Sequence, residues 1–147
     1  MHRAALILTG LLMVTPAVAQ SVEDVNGSIE IVLGDHTRFE EAFAALQTAV
    51  TDEDYEAVAA LVSYPITVRS TEEELAVETP EAFAEHYDAI MTEEIIDAVV
   101  RQSYETLFVN GEGIMFGDGQ IWMSGVCADD ACENWTVKVI TIQSANP

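Results

Sequence analysis

Three consecutive residues, His86-Tyr87-Asp88, hold the densest acid–base chemistry in the chain. An imidazole beside a phenol and a carboxylate can abstract, relay or hold a proton, which makes His86 the candidate general base, with Tyr87 or Asp88 in support. A structural reading competes. His86 lies three residues after Phe83 and four before Ile90, along a helical apolar stripe. A histidine so placed often packs at the edge of the core and bonds a backbone carbonyl. His36 sits at a helix start, and the third histidine, His2, lies near the N-terminus. No metal constellation of the usual ligand spacing emerges, and no cofactor is implied. No Ser-His-Asp or Cys-His nucleophile pattern is recognisable.

The stretch GIMFGDGQIWMSGVCADDAC, Gly113 to Cys132, holds the other candidates. Gly117-Asp118-Gly119 is a fragment of what a calcium loop would need, without further oxygen ligands at fixed spacing. No lysine or strand-to-helix context makes it a phosphate loop. Turn chemistry accounts for its glycines. Cys127 and Cys132 are separated by four residues, two more than in the usual redox pair. In an exported chain two such cysteines pair as a structural disulfide across a short loop.

Export is the expectation from residues 1–19. A positive start at His2-Arg3, an apolar run from Ala4 to Val14 and an Ala17-Val18-Ala19 ending describe a signal peptide. The apolar run falls short of the roughly 20 residues that span a bilayer. A periplasmic or secreted location follows, with no membrane partner after cleavage.

The chain of 147 residues carries 26 Asp plus Glu against 5 Lys plus Arg, a formal charge of −21. Loss of Arg3 with the leader takes −21 to −22. Nucleic acid is excluded as a partner, because phosphate binding needs a basic patch. Two readings of the acidity remain: solubility in a saline medium, and steering toward a cationic protein such as a basic lysozyme.

These residues must be positioned by a mixed fold. Residues 20–34 read as a lead-in: Asn26-Gly27 signals a turn, and Ile29, Ile31 and Leu33 alternate as in a short strand. The domain proper runs over 35–147. Phe39, Phe43, Leu46 and Val50 form a helical stripe, and Tyr55, Val58, Ala59 and Val62 a second one ended by Pro65. Short strands follow at 66–69 and 75–77. Thr79-Pro80-Glu81 starts a helix whose stripe is Phe83, Tyr87, Ile90 and Met91. A further helix buries Ile95, Ile96, Val99 and Val100, with Asp97 and Arg101 spaced to pair on its surface. From Leu107 the pattern turns to strands, with Asn110-Gly111 as a hairpin turn and Trp135 to Ile142 as the last strand. Helices first and antiparallel strands last predict an α+β fold, helices packed on one face of a curved sheet.

This order, with ALVSYPITVRS after the second helix and the LFVNGEGIMFGDGQIWMSG meander, resembles the nuclear-transport-factor-2-like superfamily. The superfamily is also called cystatin-like or SnoaL-like, and includes small exported bacterial proteins. The resemblance implies a cone-shaped half-barrel whose mouth holds a small apolar ligand. Tyr55, Phe83, His86, Tyr87 and Trp122 are the expected lining. It also implies a homodimer through the open sheet. Asp88 and Tyr104 match the residue types of ketosteroid-isomerase-like members but not their spacing. Three functions follow as expectations: a non-catalytic binding or accessory module, a small-molecule enzyme using a cavity histidine, and an acidic inhibitor of a cationic secreted enzyme.

Overall fold

The computed structural model describes residues 20–71 and 73–145. The leader read at 1–19 lies outside them. The described chain is α+β, with helices first and an antiparallel sheet after them.

The lead-in is a helix, α1 (Val22–Val32), and not the strand that its alternation suggests. Its start explains why. The Ser21 side chain accepts from the Asp24 N–H, and the Asp24 carboxylate accepts from the Ser21 N–H. This reciprocal capping satisfies two otherwise free donors. The Ser21 backbone N–H and then its hydroxyl hold the Asp24 carboxyl below its usual range. Val25 and Ile29, four residues apart, are buried on one side, whereas Ile31 points to solvent. The Asn26-Gly27 signal is overridden by these two anchors.

Helix α2 (His36–Thr51) is capped by Asp35, whose side chain accepts from the Thr37 N–H. It buries Phe39, Phe43, Leu46 and Val50, as the stripe predicts. Helix α3 (Tyr55–Ala60) starts on Asp54 in the same way. Strands β1 (Ile66–Arg69) and β2 (Glu74–Val77) form a hairpin. Thr79 caps α4 (Pro80–Glu85), which is followed by a separate short turn of helix, α5 (Tyr87–Ile90). His86, at φ −102° and ψ 17°, breaks what reads in sequence as one helix. Helix α6 (Glu93–Arg101) carries the expected surface pair, Asp97 with Arg101 at 3.0 Å.

Strands β3 (Phe108–Asn110), β4 (Gly113–Phe116), β5 (Ile121–Cys127) and β6 (Trp135–Ile142) form an antiparallel meander in chain order. Parallel bridges Val62–Val139 and Arg69–Gln143 seat the β1–β2 hairpin along the free edge of β6. One register slip matters later. Trp122 pairs with Thr141 but Met123 with Val139, so Ile140 is an extra residue in β6. Such a bulge shifts the alternation: Val137 and Val139 face the core, and beyond the slip Ile142 does so too.

Helices α1, α2 and α6 contact the strands or one another, and the core lies between them and the sheet. Phe39, Phe83 and Phe116 are fully buried there, with Leu46, Ile90 and Ile114. Phe43 stacks on Phe116 at 5.1 Å, and Tyr104 meets Phe43 edge-on at 5.2 Å. Gln120 is the one buried polar side chain among the described residues. Its Oε1 accepts from the Asp118 N–H at 2.7 Å and its Nε2 donates to Glu94 at 3.2 Å.

Candidate functional site

The expected cavity residues are not gathered around one space. Phe83 is core, edge-on to Tyr64 and Tyr87 at 6.4 and 6.1 Å. Tyr87 is buried and stacks on the half-exposed Tyr55 at 4.1 Å. Burial, then the neighbouring Tyr55, Glu53 and Asp88, push the Tyr87 phenol up. His86 and Asp88 are exposed, and among the described residues no hydrogen bond joins either to Tyr87. Consecutive residues on a helical turn point in different directions, so adjacency in sequence does not build an acid–base pair here. Tyr104 commits its hydroxyl to Asn26 at 2.8 Å. Burial, with Glu40 nearby, pushes this phenol up to about 12. Among the described residues no group of three or more His, Cys, Asp or Glu is placed to hold a metal.

Trp122 lies on the other side of the sheet from Phe83. Its neighbours Ile121 and Met123 face the core, so period-2 alternation turns Trp122 outward. There it belongs to a row crossing four strands. Phe108 pairs with Met115, Met115 with Trp122, and Trp122 with Thr141. The Phe108 and Trp122 rings meet edge-on at 6.2 Å. Phe108 is 51% exposed and the bulged Ile140 37%. Arg69, Glu112 and Gln143 edge a shallow depression beside Trp122 and Ile140. Helices α1, α2 and α6 bury their apolar sides in the core, on the opposite side of the sheet from this row.

A second surface forms where the sheet ends. Cys127 and Cys132 are disulfide-bonded, with Cα atoms 4.8 Å apart. Asp129 organises the loop between them: its carboxylate accepts from the backbone N–H groups of Glu133 and Asn134 and from Asn134 Nδ2. The Asn134 side chain, then these backbone donors, hold the Asp129 carboxyl below its usual range. After the loop comes Trp135. A Cβ on Gly125 would lie 3.0 Å from the Trp135 ring, so the absent side chain is what lets the indole lie on β5. The Arg38 guanidinium sits 4.3 Å from the ring centroid. Its Nη1 donates to the Trp135 carbonyl at 2.8 Å, and its Nε faces Asp35 at 3.4 Å. Between this ridge and the α1–α2 turn runs an open cleft bordered by Val32, Gly34, Ser124 and Cys132. Sequence reasoning did not single out Arg38. The one sequence signal for it is the scarcity of Lys and Arg, five in all.

Comparison with protein-family models, with curated proteins and with solved structures finds no match to this chain.

Proposed function

We propose that the protein is an exported, non-catalytic binding module of nuclear-transport-factor-2-like architecture, which pairs with a second copy through the uncovered face of its sheet. The outer row of Phe108, Met115 and Trp122, continued by Ile140, carries this reading. Contiguous exposed apolar side chains on a sheet mark an interaction surface.

Charge supports self-pairing there. The whole chain is at −21, so two copies repel over most approaches. The outward positions of the sheet differ: Arg69 and Lys138 are matched by Glu74 and Glu112, and Arg69 pairs with Glu74 at 3.5 Å. Two such faces meet without net repulsion. The filled interior supports binding on the outside rather than within. The β1–β2 hairpin seated on β6 supports the architecture, and the disulfide supports an oxidising compartment.

Sedimentation equilibrium of the exported protein tests the pairing. The expected mass is that of a dimer, which tightens as salt screens the distant acids. Phe108→Glu, at an exposed site, gives a monomer with unchanged circular dichroism. A wild type that stays monomeric in high salt overturns the pairing. Turnover of any substrate that is lost in His86→Ala overturns the non-catalytic reading.

A further inference from the structure

The cleft beside Trp135 carries an inference that goes beyond the pairing and uses a different face of the molecule. At its rim α1 ends in Val32, 48% exposed, next in the chain to Ile31 at 84%. The fold has no use for them: α1 buries Val25 and Ile29 and turns these two outward. Leu33, Gly34, Gly125 and Trp135 continue the apolar surface across to the disulfide loop. Gly34, at φ +102°, closes α1 without a side chain and leaves open space above the cleft.

Within the cleft Asp35 and Arg38 offset each other, and the exposed charges on the adjoining loop are acids. Arg38 is the cleft's one base, and it is already engaged by Asp35, by the Trp135 carbonyl and by the indole face. It has little left to offer an anion. Asp130 and Glu133 flank Cys132 on the loop, both exposed, and Glu41 lies on the far side of the Arg38 ridge. Asp129 is held by its own loop and keeps that wall in place. The cleft is open along its length, whereas small-molecule sites enclose most of their ligand. A single side chain presented by a larger partner needs no such enclosure.

We propose that this cleft is a docking site for a basic segment of a partner protein, with one aliphatic or aromatic side chain seated against Val32, Leu33 and Trp135. Acids at the rim draw lysine or arginine; the apolar floor selects which basic segment stays.

Two short synthetic peptides of equal lysine content test it, one with a central leucine and the other with serine in its place. Each is titrated into isotope-labelled protein and followed by amide and indole NMR shifts. The leucine peptide is expected to bind at least about tenfold tighter, equivalent to about 1.4 kcal/mol. Its shifts centre on Gly34, Gly125, Cys132 and the Trp135 indole. The variant Val32→Ser, at a half-exposed position that lines the cleft, loses this tenfold and leaves the serine peptide unaffected. Equal affinities, shifts scattered over the acidic surface, or an unaffected Val32→Ser variant each overturn the proposal. Sedimentation reads the sheet-face pairing separately, so neither failure is mistaken for the other.

Discussion

Phe83→Ala decides between a packed interior and a ligand chamber. Phe83 is fully buried, with the rings of Tyr64 and Tyr87 edge-on to it. A phenylalanine buries roughly 200 Å². At about 25 cal/mol per Å² that is about 5 kcal/mol, less what the alanine methyl keeps. The surrounding rings cannot collapse fully onto the space, which places the loss at about 3–5 kcal/mol. For a domain of this size the melting temperature falls by roughly 10–20 °C. Urea unfolding measures the first quantity and calorimetry the second. Benzene should recover part of the loss, because the space left is apolar and closed. Val100→Ala is the control: its side chain is 45% exposed on α6, and it should cost less than about 1 kcal/mol. A loss below about 1 kcal/mol for Phe83→Ala would refute the reasoning, since a ring bordering an open chamber costs little to remove. The enzyme reading would then regain its cavity.

Three further outcomes are expected. Replacing both Cys127 and Cys132 by serine frees a six-residue loop from Cys127 to Cys132 and lowers stability by about 2 kcal/mol in urea unfolding. Gly113→Ala and Gly27→Ala should have opposite signs. At Gly113, φ is +148° and a Cβ would meet the Met123 carbonyl at 2.2 Å, so alanine costs about 2 kcal/mol or more, whereas Gly27 lies in α1 with open space and gains about 0.5–1 kcal/mol. The Asp129 carboxyl, followed by NMR, should titrate below the ordinary aspartate range, and Asn134→Ala should move it upward. The sign follows from its depressed folded value: the interaction is present above the unfolded pKa and is lost as pH falls through the folded one.

Much of this fold was legible in the sequence, because apolar spacing and caps agree. The α2 stripe, the Thr79-Pro80 start of α4, the Asp97–Arg101 pair and the strand meander all lie where local rules place them. Helix α1 was hidden by a genuine conflict. Ile29, Ile31 and Leu33 alternate like a strand, while Val25 and Ile29 have helical spacing, and the Ser21–Asp24 capping box settles it. Site residues were less legible. His86 was placed by a helical stripe that in fact breaks at His86 itself. Trp122 was grouped with Phe83 as an aromatic, yet sheet alternation divides them. The Arg38–Trp135 contact joins positions 97 residues apart, and no local pattern encodes such a distance.

The chain's two tryptophans lie on opposite faces of one sheet, Trp122 among the outward side chains and Trp135 against Gly125 and Phe39 on the inner side. The protein therefore contains two built-in fluorophores, each facing a different surface. Replacing either one by phenylalanine leaves a single emitter. A chain keeping Trp122 reports on the outer face alone, through the blue shift that follows exclusion of water. A chain keeping Trp135 reports on the cleft, where the Arg38 cation already lies over its ring. Two events at two surfaces can thus be followed in one cuvette, with no label added.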